Sequence, residues 1–205
     1  MGTVDAQIIT SAALDVLDET GLDKLSMRGV AARLGVQVGG LYYYGADKAA
    51  LLRRLADELC DQALSEFGGR AGGAAGWADE ALVLCDCVRA VLNRHRDSAR
   101  VLAASPLNGS LSALALMDRL IAALEPGIAA DRVNVAADTL MAYVTGFVLQ
   151  EQSGDPARFP LTLDELATRF PRIFRAVGRD DDREFTTAVI AIIGGFREQG
   201  PPASR

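Results

Sequence analysis

The chain has 205 residues, half of them hydrophobic but only 6% aromatic, and a formal net charge of −6 at pH 7. That length allows a sizeable core, or a small head on a larger body, and the core must be built from Ala, Leu, Val and Ile. No run reaches the roughly eighteen apolar residues of a membrane span, the N-terminus lacks the basic and apolar regions of a secretory signal, and Cys60, Cys85 and Cys87 fit neither a disulfide framework nor zinc spacing, so the expectation is a cytoplasmic protein with no place in a membrane.

Few segments alternate with period two and alanine is abundant, which predicts an all-α fold. The first helix spans residues 5–20, with Ile9, Ala12, Ala13, Val16 and Leu17 on one face and Gly21 closing it. The run from Ser26 to Tyr44 reads as two short helices around a glycine turn. Ser26 caps the first, Val30, Ala31 and Leu34 recur at helical spacing, and Gly35 suits the left-handed residue that ends it. Val38, Leu41 and Tyr42 anchor the second. This is helix-turn-helix grammar, in which the second helix is built to lie in a DNA groove. Asp47-Lys48 then opens a long helix with Leu51, Leu52, Leu55, Leu59, Ala63 and Phe67 in one stripe.

Five glycines in residues 68–76 predict a loop inside the body. Beyond it, helices are expected over residues 77–95, 97–104 (ended by Pro106), 109–124 (Leu111, Leu114, Met117, Ile121 and Leu124 in line), 130–152, 162–177 (opened by a Thr162/Glu165 capping box) and 182–199. The helix over 130–152 is apolar around most of its circumference, so it must be buried on more than one side. Its pairing with residues 182–199 and their copies predicts a homodimer through a four-helix bundle, with Ile193 facing the partner. The division expected is a three-helix helix-turn-helix head, residues 1–50, and a larger ligand-binding and dimerisation body, residues 51–205.

Charge argues against DNA binding at first sight. Residues 1–50 hold four bases (Lys24, Arg28, Arg33, Lys48) and six acids (Asp5, Asp15, Asp18, Glu19, Asp23, Asp47). No basic patch is legible. What decides is which face each charge occupies: Arg28, Lys48, Arg53 and Arg54 flank the reading helix, and most acids fall on the first helix or its exit.

The head resembles the N-terminal domain of TetR-family transcriptional regulators. The matching pieces are the run from Ile8 to Leu17, Gly21-Leu22-x-x-Leu25-Ser26, Ala31-x-x-Leu34-Gly35-Val36, and Leu41-Tyr42-x-Tyr44-x-x-x-Lys48. The body resembles the branch of that family that includes the tetracycline repressor, through His95-Arg96-Asp97-x-Ala99-Arg100-Val101 with Pro106 downstream, Gly146-Phe147-Val148-Leu149-x-Glu151-Gln152, and Phe185 followed by Ile190-x-Ile192-x-Gly194-Gly195-Phe196.

The resemblance implies a DNA-binding set of Ser26, Met27, Arg28, Gln37, Val38, Gly39, Gly40, Tyr42, Tyr43, Tyr44 and Lys48. Arg28 can reach a phosphate or fork onto guanine, and Ser26 can cap its helix as well as bond a phosphate. Tyr42 contacts phosphate by resemblance, Tyr43 packs on bases, Tyr44 is partly core, and Lys48 meets phosphate. Gly39-Gly40 departs from the family pattern of larger or hydroxyl residues. The pair costs the helix about 1 kcal/mol each and removes side chains that read bases. Either the backbone approaches DNA closely, or specificity shifts to Gln37, Tyr43 and DNA shape.

The body offers no catalytic constellation: His95 is the single histidine and has no partners for triad or metal chemistry. Cys85 and Cys87 point to different helix faces and read as small hydrophobes. In the tetracycline-repressor branch a histidine and a glutamate hold a drug-bound magnesium ion. The corresponding positions here are Leu102 and Gln150, so no metal or cofactor is expected. The implied pocket is apolar, lined by Leu82, Cys85, Val88, Leu102, Leu114, Met117, Met141, Thr145 and Phe147.

The sequence thus predicts a repressor, not an enzyme, released from a double-stranded palindromic operator by an apolar small-molecule inducer. The rival is a helical small-molecule sensor without specific DNA binding. A helical enzyme is a third class, disfavoured by the lack of an acid–base pair at His95.

Overall fold

The computed structural model describes residues 5–43, 47–105, 110–153, 160–175 and 180–198, and every regular element among them is helical. α1 (Ala6–Thr20) begins on Asp5, whose carboxylate accepts from the Ile8 N–H at 2.8 Å, and ends at Gly21 with φ 79°. Its buried side includes the predicted Ile9, Ala12, Ala13, Val16 and Leu17. α2 (Met27–Leu34) begins on Ser26, whose Oγ accepts from the Gly29 N–H at 3.2 Å, and ends on left-handed Gly35 (φ 67°, ψ 28°). α3 (Val38–Tyr43) starts three residues on. The turn chemistry expected of these residues is therefore what forms.

α4 (Lys48–Arg70) starts on an Asp47 cap, 2.6 Å from the Ala50 N–H, and buries Leu51, Leu55, Leu59, Ala63 and Phe67. It does not stop at the glycines: Gly68 and Gly69 continue the helix, and a single 3₁₀ turn follows at Ala71–Gly73. Tertiary anchors on both sides override the poor helix propensity. Phe67 is buried beneath the Arg119 guanidinium, 4.6 Å from its ring centroid, and Arg70 bonds Asp86 at 2.6 Å.

The body adds α5 (Trp77–Arg94), α6 (Ser98–Ala104), α7 (Leu111–Leu124) and α8 (Val133–Ser153). Pro106 and Gly109 lie outside the described residues. α7 buries a different face from the one the sequence spacing selects. Ala113, Leu116, Leu120, Ala123 and Leu124 are buried, whereas Leu111 is 85% exposed and Leu114 47%. α7 is apolar on two stripes, and the one with small residues at Ala113 and Ala123 allows close approach to its neighbours.

α9 (Leu163–Arg169) carries the predicted capping box: Thr162 Oγ1 accepts from the Glu165 N–H, and Glu165 accepts from the Thr162 N–H at 2.8 Å. The helix expected over 162–177 breaks at Phe170, and α10 (Pro171–Phe174) follows. Pro171 supplies no N–H and disfavours helical geometry at the residue before it; Val177 lies outside the described residues. α11 (Asp181–Glu198) closes the chain. It buries Phe185, Val189 and Ile193 against its own core, so Ile193 does not face a partner; the outward apolar residues are Ile190 on α11 and Val135 on α8. One continuous core runs from Ile9 in the head through Leu51 and Leu55 to Val144 and Phe185, and α4 belongs to both ends of it.

Candidate DNA interface and ligand cavity

The acids of the head are engaged by partners within the chain. Asp5 and Asp47 cap α1 and α4. Arg33 of α2 holds Glu19 and, at 3.6 Å, Asp15 of α1, which raises the arginine's pKa further through the Glu19 hydrogen bond. Asp18 and Asp23 bond to the body. All six acids of residues 1–50 therefore have partners within the chain, and the opposing surface is left to Ser26, Arg28, Gln37, Gly39, Gly40 and Lys48, all exposed. Among the described residues neither Arg28 nor Lys48 forms an ion pair. Met27 is only 7% exposed and packs in the head core, so its side chain is not presented to DNA. Val38 is half-buried against the core and Leu41 is buried, which seats α3. Tyr42 and Tyr43 belong to α3, while Tyr44 lies outside the described residues.

A polar seam joins the end of α1 to the turn between α5 and α6. His95 sets Nδ1 2.9 Å from an Asp18 carboxylate oxygen and Nε2 3.4 Å from Oε1 of Gln62 on α4. The Arg96 N–H donates to Asp18 at 2.9 Å, and the Leu22 N–H donates to Asp97 at 2.8 Å. Arg100 reaches Asp23 at 2.7 Å and holds that carboxyl below its ordinary value. Asp97 adopts left-handed backbone geometry (φ 57°), which an aspartate tolerates better than most residues. Gly21 is required here: a Cβ on it would stand 2.9 Å from Asp97 Oδ2, at a backbone φ of 79°. The sequence placed His95 in a structural role but did not reveal this seam, because its partners lie about 77 residues apart.

A cavity of about 440 Å³ opens between α4, α6, α7 and α8. Leu102, Met117, Met141 and Thr145, all predicted, line it, together with Cys60, Ser105, Leu116 and Asp138. Leu82, Cys85, Val88, Leu114 and Phe147 are not in its lining. Leu82, Cys85 and Val88 belong to the α5 core, Leu114 faces outward, and Phe147 lines a second cleft. The α5 residues satisfy a helical apolar spacing that serves core and pocket equally, so spacing could not separate the two. Burial pushes the Cys60 thiol up to about 12, helped by Asp57 and Asp61, so it lines the wall as a protonated, apolar group. Asp138 is the single carboxylate among the described lining residues. With Ser105 and Thr145 it gives a sparse oxygen set, short of what a tightly held magnesium ion requires. Gln150 is exposed and outside the lining.

The second cleft, about 690 Å³, runs along α8 and α11 and is lined by Tyr143, Phe147, Thr187, Ala188 and Ala191 among others. Behind it Arg89 lies over the rings of Phe147 and Phe185, 5.1 and 4.8 Å from their centroids. Arg89 also bonds Glu151 at 2.5 Å and Asp182 at 2.8 Å.

A helix-turn-helix head with outward cations, seated on a helical body with a mostly apolar cavity, defines the class of a DNA-binding regulator with a sensor body. The comparisons agree. The family described as "Bacterial regulatory proteins, tetR family" matches residues 9–55, and "Tetracyclin repressor-like, C-terminal domain" matches residues 71–199. The class A tetracycline repressor from transposon 1721 of Escherichia coli is 34% identical over 160 residues, 76% of this chain and 70% of that protein. A possible TetR family regulator from Streptomyces coelicolor A3(2) superposes with a TM-score of 0.81 at 29% identity, covering 94% of this chain and 98% of that one. BioQ with its double-stranded DNA operator gives a TM-score of 0.70 at 25% identity, covering 96% and 100%. The chain belongs to the tetR family of bacterial regulatory proteins. It is accordingly a ligand-responsive, DNA-binding transcriptional repressor that works as a dimer.

Proposed function

We propose that a head over residues 1–50 reads a palindromic operator through Arg28, Gln37, Tyr42, Tyr43 and Lys48, with Ser26 adding a phosphate contact, and that a body over residues 51–205 senses an apolar, metal-independent inducer in the cavity between α4, α6, α7 and α8. The observation that carries the first half is that every acid in the head has a partner within the chain, which leaves Arg28 and Lys48 as exposed cations outside any ion pair among the described residues. The cavity supports the second half because Cys60 of α4 and Leu102 and Ser105 at α6 share its wall. A ligand seated there touches the helix that enters the head and the helix that carries the seam. By displacing them it changes the spacing of the two reading helices in the dimer, which is a coupling between separate sites. The outer faces of α8 and α11, with Val135, Ile190 and the second cleft, form the proposed dimer surface. The protein acts in the cytoplasm and is not an enzyme.

Selection from random double-stranded DNA at low salt tests the reading. The expected outcome is one enriched palindrome, with Arg28→Ala or Lys48→Ala weakening binding roughly tenfold or more at unchanged melting temperature. Failure to enrich any palindrome overturns it. Ile190→Glu is expected to yield monomers that no longer hold the palindrome, read by sedimentation.

A further inference from the structure

The cavity between α4, α6, α7 and α8 is apolar along most of its wall, but it is not neutral. Asp138 of α8 lines it, and none of the described lining residues is a lysine, an arginine or a histidine. Asp138 is exposed, so it stands at the opening of the cavity rather than at its floor. Among the described residues its carboxylate takes part in no ion pair and accepts no hydrogen bond.

Thr145 lines the same space and is open as well. It follows Asp138 by seven residues, which places the two on one side of α8, about 10 Å apart along the helix axis. A threonine inside a helix commonly turns its hydroxyl onto the carbonyl four residues back, as Thr139 does onto Val135 at 2.6 Å. The Thr145 hydroxyl makes no such bond among the described residues. Ser105, by contrast, is engaged with the carbonyls of Val101 and Leu52 at 3.0 and 3.4 Å.

The opposite wall carries the same sign of charge. Burial raises the Cys60 thiol, and the charges of Asp57 and Asp61 raise it further, so the negative potential of those two carboxylates reaches the cavity surface on α4. Asp57 is bonded by the Ser110 hydroxyl, a neutral donor that leaves its charge uncancelled. A cleft with low-dielectric walls and one sign of charge concentrates molecules of the other sign.

We infer that the inducer is a lipophilic amine. Its apolar body lies among Leu102, Met117 and Met141, its protonated nitrogen donates to Asp138 at the opening, and a polar atom about two helical turns further along α8 pairs with Thr145. A carboxylate or phosphate ligand would bring a second negative charge to Asp138 with no lining cation to meet it. A neutral ligand of the same shape would take water from Asp138 and return no charge-assisted hydrogen bond. Methionine side chains adapt to ring edges, so an aromatic skeleton suits the body of the amine.

This inference rests on the reading of this cavity as the inducer site, and its test keeps the two apart. Three probes share one two-ring body: 4-biphenylmethylamine, 4-biphenylmethanol and 4-biphenylcarboxylate. Each is titrated calorimetrically into the full-length dimer at neutral pH. The amine is expected to bind about fivefold tighter than the alcohol, a ratio that shrinks in high salt because Asp138 keeps contact with water, and the carboxylate to bind weakest. In Asp138→Asn the ratio of amine to alcohol affinity is expected to fall to about one. Met117→Trp, which fills the cavity, is expected to lose all three. An amine no tighter than the alcohol, or a preference for it that survives Asp138→Asn, overturns the inference and leaves the cavity reading standing. Binding that survives Met117→Trp, or no binding by any probe, removes the cavity reading itself, and the inference falls with it. If Asp138→Asn fails to fold, the order of the three probes on the unchanged protein decides alone.

Discussion

The body and the seam are held by opposite kinds of interaction. Within the body, α5, α7, α8 and α11 meet through fully buried Leu84, Leu92, Leu120, Val144 and Phe185. Between the end of α1 and the α5–α6 turn, the contacts are hydrogen bonds and ion pairs: Asp18 with His95 and the Arg96 N–H, Asp97 with the Leu22 N–H, and Asp23 with Arg100. Apolar packing is short-ranged and resists sliding, since interiors are close-packed. A polar, partly wet seam trades bonds with water at small net cost. A shift of the head against the α5–α6 turn therefore costs less than repacking α5, α7, α8 and α11.

The largest effect is expected inside the body, at Arg89, the one buried charged side chain among the described residues. Arg89→Ala leaves Glu151 without its cation and strips the cover from Phe147 and Phe185. A loss of about 3 kcal/mol or more is expected in denaturant unfolding, and a change below about 1 kcal/mol contradicts it. Gly21→Ala follows. Its Cβ would press on Asp97 at a backbone angle that alanine adopts poorly, costing about 1–3 kcal/mol, with the loss concentrated in faster amide exchange at residues 21–25.

Acid titration sharpens the contrast further. The Arg100 hydrogen bond holds the Asp23 carboxyl below its ordinary 3.8. A depressed folded value contributes stability that is fully present above the unfolded value and lost as pH falls through the folded one. The Asp23–Arg100 pair is therefore intact at neutral pH and opens only as pH falls through that lowered value, which carboxyl chemical shifts of Asp23 would report. The smallest effect on folding belongs to Arg33→Ala. Its partners Asp15 and Glu19 are largely exposed, so the melting temperature barely moves, while the loss of one cation and the two freed carboxylates weaken non-specific DNA binding and make its loss with salt shallower, since salt screens their repulsion.

Legibility followed the same division. The head was readable because each residue there has one local task. Ser26 caps, Gly35 turns left-handed, Asp47 caps, and the structure holds all three. The capping box at Thr162 and Glu165 was readable for that reason too. The body was readable only as a set of helices. α7 offers two apolar stripes, and what α4, α5 and α8 present to it decides which one is buried, a fact stored in other segments. Ile193 and Ile190 are three residues apart, yet one faces the core and the other solvent. Four of nine expected pocket residues line the cavity, since core and pocket wall share a spacing. The seam was hidden because Asp18 meets His95 across 77 residues of sequence.

The decisive property of the molecule is whether the seam can be cut without unfolding what it joins. Hydrogen exchange read by mass spectrometry on the Asp18→Asn, Asp97→Ala double variant measures this directly. Faster exchange in α1, α2 and α3, with α5, α7 and α8 unchanged, is the expected result. Equal acceleration in head and body would mean that the two form one cooperative unit, and would contradict the account.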